Sequence, residues 1–366
     1  MKLQWASNLS GLPAAVIIAL LGAGLLAWSD IVAEGIRRGI SICGGVLVPA
    51  LFPFMVLCCF LSRSGAARVL SLPLAPLTRH IYKLPPDTGA AVLLSLIGGY
   101  PVGAKMISGL LEQERIDKTA AERMLCFCVN ASPSFLISAV GAGMLRDIRA
   151  GAVLFVSHIA ASLLLGAAVS LRTSMPPPAA ARGRDHGGGT GAFVAAVADA
   201  SSSMLAMCAL TVLFSGLLAL LSHSGLPGLA AQVFSFDPAI MDAVAAGLLE
   251  VSGGCLAAAS LGGEQAVALI SVFCSFSGLS VIFQVISFFE KNRLRLWPLL
   301  AGRLAHCALA LSLTLPLYRR FCADIAVTLS PTPPVLHFGG KTALITLCLV
   351  CMCGILVSDT VSRLKR

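Results

Sequence analysis

Four short stretches hold the residues from which this sequence builds candidate chemistry, and each interrupts an otherwise apolar run. The first is Gly98-Gly99-Tyr100-Pro101-Val102-Gly103-Ala104-Lys105. Gly98 and Gly99 permit a sharp chain reversal, and Pro101 suits the first turn of the half-helix that follows, where its missing N–H is no loss. The free N–H groups of such a helix start attract anions, and Lys105 lies about one turn further on. The second stretch is Glu250-Val251-Ser252-Gly253-Gly254, a matching break with an acidic residue at its head. The third, Asn130-Ala131-Ser132-Pro133-Ser134, loses a backbone hydrogen bond at Pro133. Its short polar side chains can satisfy the freed backbone or a ligand. The fourth is Ser275-Phe276-Ser277-Gly278, with Gln284 about two turns beyond Ser277.

Two charges make these breaks more than kinks. On insertion scales a lysine at the centre of a bilayer costs roughly 2.5–3.5 kcal/mol, a cost that normally accompanies a partner or a function. Lys105 therefore either meets an anionic substrate, pairs with Glu250, or snorkels to the interface. Glu250 pairs with Lys105, takes a coupling proton or cation, or sits in water at a hairpin mouth. His158 and His306 lie within apolar runs, the latter close in sequence to Arg303; interhelical packing is their expected role, ahead of a proton relay.

The elements that must position these residues are membrane helices. Of the 366 residues 57% are hydrophobic and only 12% charged, with a mean hydropathy of +0.90, whereas soluble domains carry about 25% charged residues. Runs such as Ile40 to Leu61, Val153 to Leu171 and Ala343 to Val357 approach or reach the roughly 20 residues that cross a ~30 Å hydrocarbon layer. Membrane elements are expected at 12–28, 40–61, 88–111 (broken), 124–145, 150–171, 204–222, 239–260 (broken), 265–289, 296–317 and 341–358. The first, without a convincing cleavage site, reads as an uncleaved helix.

A hydrophilic joint, with Pro176-Pro177-Pro178 and Gly187-Gly188-Gly189, separates two halves. The expected organisation is an N-terminal helix and loop (1–39), a first repeat (40–171), a linker (172–203), a second repeat (204–320) and a C-terminal helix and tail (321–366). If both broken segments enter and leave by one face, most lysines and arginines collect on the side of the termini and the linker, which the positive-inside rule makes cytoplasmic. Each half then reads as helix, re-entrant hairpin, helix, helix, and the second copy is inverted. Leu61-Ser62-Arg63-Ser64-Gly65 and Leu221-Ser222-His223-Ser224-Gly225 echo one another, as do Gly98-Gly99 and Gly253-Gly254. The fold class expected is thus all-α, polytopic in the membrane, with two inverted repeats that each contain a re-entrant hairpin and a broken helix. Such repeats place a substrate site at the midplane, where half-helix ends meet.

Other classes are disfavoured. The net charge of +9 is dispersed in short loops and forms no nucleic-acid stripe. The 13 cysteines lie in apolar runs without metal-ligand spacing, so neither a metal nor a disulfide framework is expected. Gly22-Ala23-Gly24 sits inside a membrane helix, and Gly340-Lys341-Thr342 lacks the first glycine of a phosphate loop. No enzyme, cofactor or ATP-hydrolysing domain is expected, and any transport is gradient-driven or passive.

The Gly98 to Lys105 string, the charged Glu112 to Arg123 stretch, Cys126 to Ser134, Glu250 to Gly254 and Ser275 to Gln284 resemble the sporulation integral membrane protein YlbJ family, which carries the nucleoside-recognition Gate type of membrane repeat. The resemblance covers roughly residues 40–320. It implies a transporter of endospore-forming bacteria at the outer forespore membrane, or more broadly a cell-membrane protein, moving dipicolinate toward the developing spore. A small anionic substrate, the lipid bilayer and a coupling proton or cation are the implied partners, with homo-oligomerisation open. The competing readings are a non-transporting scaffold for spore-envelope assembly and a nucleoside carrier.

Overall fold

The computed structural model describes residues 12–64, 66–171, 173, 190–292 and 294–322. Most of the expected linker and the expected helix 341–358 lie outside them. Among the described residues every regular element is helical. Ile148–Ser170, Thr190–His223, Gly263–Ser287 and Trp297–Phe321 are long and apolar enough to cross a membrane, and a bent pair at the N-terminal end makes a fifth candidate. The chain is a multi-pass integral membrane protein.

The bent pair consists of α1 (Leu12–Ala27) and α2 (Ser29–Ile42), whose axes turn by 94° around Trp28. From α2 the helix runs on through a π-helical stretch, Cys43–Leu47, into α3 (Val48–Ser64). The span expected at 40–61 therefore begins at Ser29. Hydropathy hides α2 because Glu34, Arg37 and Arg38 face outward, with Arg37 Nε 3.0 Å from Glu34. Its inner face is glycine. A Cβ on Gly35 would lie 2.6 Å from the Ser215 carbonyl oxygen, and one on Gly39 2.9 Å from Val212 Cα. Such small residues let two membrane helices approach backbone to backbone.

Their partner is α8 (Thr190–His223), 34 residues and so about 50 Å long. It starts at Thr190, inside the stretch read as linker, because Ala195, Ala196, Ala198 and Ala200 favour helix and Asp199 pairs with Arg63 of α3.

Two sets of elements repeat in the same order. In the first, α4 (Gly89–Ile97) and α5 (Tyr100–Glu112) form a short helix pair. Then α6 (Lys118–Leu125) unwinds at Cys126 and continues as the π-helix Ser134–Met144, followed by the long α7 (Ile148–Ser170). After α8 and a short α9 (Leu226–Phe234), the second set pairs α10 (Pro238–Leu249) with α11 (Val251–Ala259). It breaks α12 (Gly263–Phe276) from α13 (Gly278–Ser287) and ends in the long α14 (Trp297–Phe321). The span expected at 124–145 is hence a short helix, a bare linker and a π-helix.

The α10–α11 pair closes tightly because glycine faces glycine: a Cβ on Gly254 would fall on Gly247 Cα, and the Phe273 ring of α12 covers Gly247. The core between the two sets is built from residues such as Met55, Leu94, Ile107, Phe127, Leu136, Ile270 and Cys274, all buried.

Candidate functional site

Each break is held open by a local device. At the α4–α5 junction Gly99 has φ +91°, a left-handed conformation suited to glycine, and a Cβ there would meet Leu51 Cδ2 at 2.6 Å. Pro101 occupies the first turn of α5 as expected. Tyr100 then reaches across the molecule, its hydroxyl donating to the carbonyl of Cys274 at 2.7 Å. The first helix pair is thereby tied to the end of α12.

In the first broken helix, residues 126–132 are unwound and their backbone groups are satisfied from outside. Ser162 Oγ donates to the Phe127 carbonyl at 2.6 Å, and Asn130 Nδ2 donates to the same oxygen at 2.8 Å. Ser132 Oγ accepts from Phe135 N at 3.2 Å and so caps the π-helix. His158 Nε2 accepts from Ala131 N at 3.1 Å, which leaves the ring proton on Nδ1, 3.5 Å from Ser275 Oγ.

In the second broken helix Ser277 and Gly278 both have positive φ, +80° and +68°. A Cβ on Gly278 would press on the Gly247 carbonyl oxygen at 3.2 Å, so the turn is seated against the second helix pair. The left-handed conformation at Ser277 is unusual for a side-chain-bearing residue and marks a backbone held by its surroundings.

One arginine fastens both breaks. Arg303 of α14 is fully buried; its guanidinium donates to the carbonyls of Val129 at 2.5 Å and Cys126 at 2.6 Å, with the Ser275 carbonyl at 3.5 Å. These carbonyls lie at or just beyond the C-terminal ends of α6 and α12, the negative ends of those helices, where a cation is favourable. His306 stands between, with Nδ1 3.4 Å from the guanidinium and Nε2 donating to the His158 carbonyl at 3.0 Å. Histidine rings 158 and 306 pack 4.4 Å apart. The sequence treated this trio as packing. The signal available for it was Arg303 itself, an arginine in the middle of an apolar run, which must face the interior and find partners.

At the α10–α11 junction Glu250 adopts an extended conformation and caps α11 with its own carboxylate, Oε1 accepting from Ser252 N at 3.0 Å and Oε2 from Gly253 N at 2.6 Å. Gln284 Nε2 lies 3.2 Å from Ser280 Oγ and 3.4 Å from Thr211 Oγ1.

Three of the four breaks open on one cavity of about 50 Å³, and the half-helix that follows the fourth, α13, lines it as well. Gly99, Tyr100 and Pro101 line it from the first pair, Ser132 and Phe135 from the first broken helix, Glu250 and Ser252 from the second pair, and Ser280 and Gln284 from α13. Leu47, Leu51, Met207 and Thr211 close the side toward α3 and α8. Its volume holds a few waters.

Of the other residues singled out from sequence, Gly98, Gly103, Asn130, Gly253, Gly254, Ser275 and Ser277 shape the walls without lining the cavity, and Ser134 begins the π-helix. Lys105 points elsewhere: it is half-buried, with Nζ 5.6 Å from the centre of the Phe288 ring. Among the described residues Lys105 and Glu250 form no ion pair. Thr211 and Ser280 were not singled out from sequence, having no break beside them.

A mostly apolar cavity that Glu250, Ser252, Ser280 and Gln284 reach, at the meeting point of interrupted membrane helices, is the candidate site of this multi-pass membrane protein. Comparison with known proteins supports the family resemblance read from the Gly98 to Lys105 string. Over 133 residues the chain is 29% identical to the sporulation integral membrane protein YlbJ of Bacillus subtilis (strain 168), a match covering 36% of this chain and 33% of that protein. The similarity thus spans about a third of the relative's length. No family profile matches the chain, and no solved structure matches it.

Proposed function

We propose that this chain is a secondary-type transporter of a small organic anion, with dipicolinate during endospore formation as the substrate. The observation that carries the reading is the convergence of three interruptions, and of the half-helix after the fourth, on one cavity. A chain needing only to pack has no reason to leave Ser132, Ser252, Ser280 and Gln284 facing a shared space. The two helix pairs are read as re-entrant hairpins of inverted repeats, and the starts of α5 and α11 as the N–H groups that meet carboxylates. The similarity to a sporulation integral membrane protein supports the sporulation setting, and the outer forespore membrane is the membrane this reading assigns.

The cavity of about 50 Å³ is far below the roughly 300–1,000 Å³ of ordinary ligand sites, so this conformation is closed and substrate entry requires the hairpins to part. Glu250 is the group in the cavity that opposes an anion. Two unit charges about 5.5 Å apart, at an effective dielectric of about 20, repel by about 3 kcal/mol.

Purified protein in proteoliposomes should accumulate labelled dipicolinate under an imposed ion gradient, with unlabelled dipicolinate competing and uridine not. Folded protein that takes up nothing under any gradient would return the account to a scaffold, and competition by uridine would make it a nucleoside carrier.

A further inference from the structure

Glu250 is a carboxylate with an unusual set of neighbours. It is 5% exposed, faces the cavity, and makes no ion pair among the described residues. Its hydrogen-bond donors are the backbone N–H groups of Ser252 and Gly253, joined by the Ser252 hydroxyl. The titratable groups around it carry no permanent positive charge: Tyr100 of α5, Cys43 of the π-helical stretch and Cys255 of α11. From α8 the cavity receives Met207 and Thr211, and from α13 Ser280 and Gln284.

We propose that the coupling ion is a proton carried on the Glu250 carboxyl, and that substrate and Glu250 compete for the same two N–H groups at the start of α11. The inference rests on the transport reading above and deepens it. Protonation adds one hydrogen to the carboxylate and turns an acceptor of two N–H bonds into a neutral acid, which no longer needs the helix start. A substrate carboxylate then takes the vacated N–H groups, without facing a second negative charge. On the opposite side the substrate leaves, the proton passes to water, and Glu250 caps α11 again.

Burial without a counter-cation is what favours a proton over a metal cation at Glu250, against the two N–H bonds that hold it ionised. A sodium ion needs several convergent oxygen ligands, and no second carboxylate joins Glu250 in the cavity lining. A buried carboxylate without a counter-cation is neutralised at least cost by a proton.

The test is proton movement in proteoliposomes containing a trapped pH indicator and the full chain. External dipicolinate should acidify the lumen of wild-type vesicles as it enters, and acid outside should raise its uptake several-fold. In Glu250→Gln, whatever uptake remains should carry no proton and lose its dependence on external pH. Glu250→Asp keeps a titratable group on a shorter arm, so it should still acidify the lumen, with its pH midpoint displaced. Should Glu250→Gln fail to fold, the wild type and Glu250→Asp still decide. Dipicolinate uptake without acidification, or acidification that persists in Glu250→Gln, would overturn proton coupling at Glu250 while leaving transport standing. Wild-type vesicles that take up no dipicolinate at any pH would overturn the transport reading and this inference with it.

Discussion

Arg303→Met is expected to be among the most damaging single substitutions in the chain, lowering stability by about 3–5 kcal/mol. Methionine fills much of the volume but donates nothing, so the carbonyls of Cys126 and Val129 are left buried and without their charged donor. Each hydrogen bond to a charged group contributes roughly 1.5–3 kcal/mol, and a membrane interior has no water to replace it. Against a total stability of about 5–15 kcal/mol, the loss removes a large share. Arg303→Lys should rescue only part of it, because one ammonium cannot reproduce the planar fork that reaches two carbonyls. Thermal unfolding in detergent gives the measurement. An unchanged midpoint in Arg303→Met would show that the two unwound segments hold themselves.

A single methyl group should do comparable harm at Gly103. Its Cβ would land on the carbonyl oxygen of Cys128 and come within 2.8 Å of Ser95 Cβ, so α5 is wedged between the first break and α4. Backbone cannot rotate aside as a side chain does. Gly103→Ala must therefore push α5 off the unwound segment, a strain of about 1–3 kcal/mol or more. It also moves Tyr100 relative to Cys274. In contrast, a Cβ at Gly22 of α1 would meet nothing within 4 Å, so Gly22→Ala should be neutral or slightly stabilising. Comparing the two thermal midpoints, with dipicolinate uptake beside them, checks the prediction. Equal midpoints would mean that the α5 contact is loose.

The breaks were legible in sequence because Gly, Pro and Ser rarely interrupt apolar runs without consequence. Gly98-Gly99, Pro133, Ser277-Gly278 and the stretch after Glu250 all mark real changes of helix direction or type. What escaped was set by contacts distant along the chain. The bonds from Arg303 to Val129 and Cys126 span 174 and 177 positions, and no local pattern announces them. Helix α2 was hidden by Glu34, Arg37 and Arg38, whose outward face lowers hydropathy while its glycine face packs on α8. Lys105 followed the helix geometry rather than its charge: five positions beyond Tyr100 on α5, it rests against Phe288, away from the cavity. Glu250 was singled out, but its capping of α11 escaped for another reason. Glutamate is not a preferred residue at a helix start, and only the extended backbone there lets its longer side chain fold back on Ser252 and Gly253.

The central claim, that the cavity between the two helix pairs and the broken helices is the substrate site, is tested most directly by thiol protection in a background stripped of native cysteines. A cysteine at Ser252, which lines the cavity, and one at exposed Ser260, at the far end of the same helix, are labelled with a maleimide while dipicolinate is titrated. The account predicts that dipicolinate slows the reaction at Ser252→Cys in a saturable way and leaves Ser260→Cys unchanged. Saturable dipicolinate binding that protects neither position, or protects only Ser260→Cys, would contradict it.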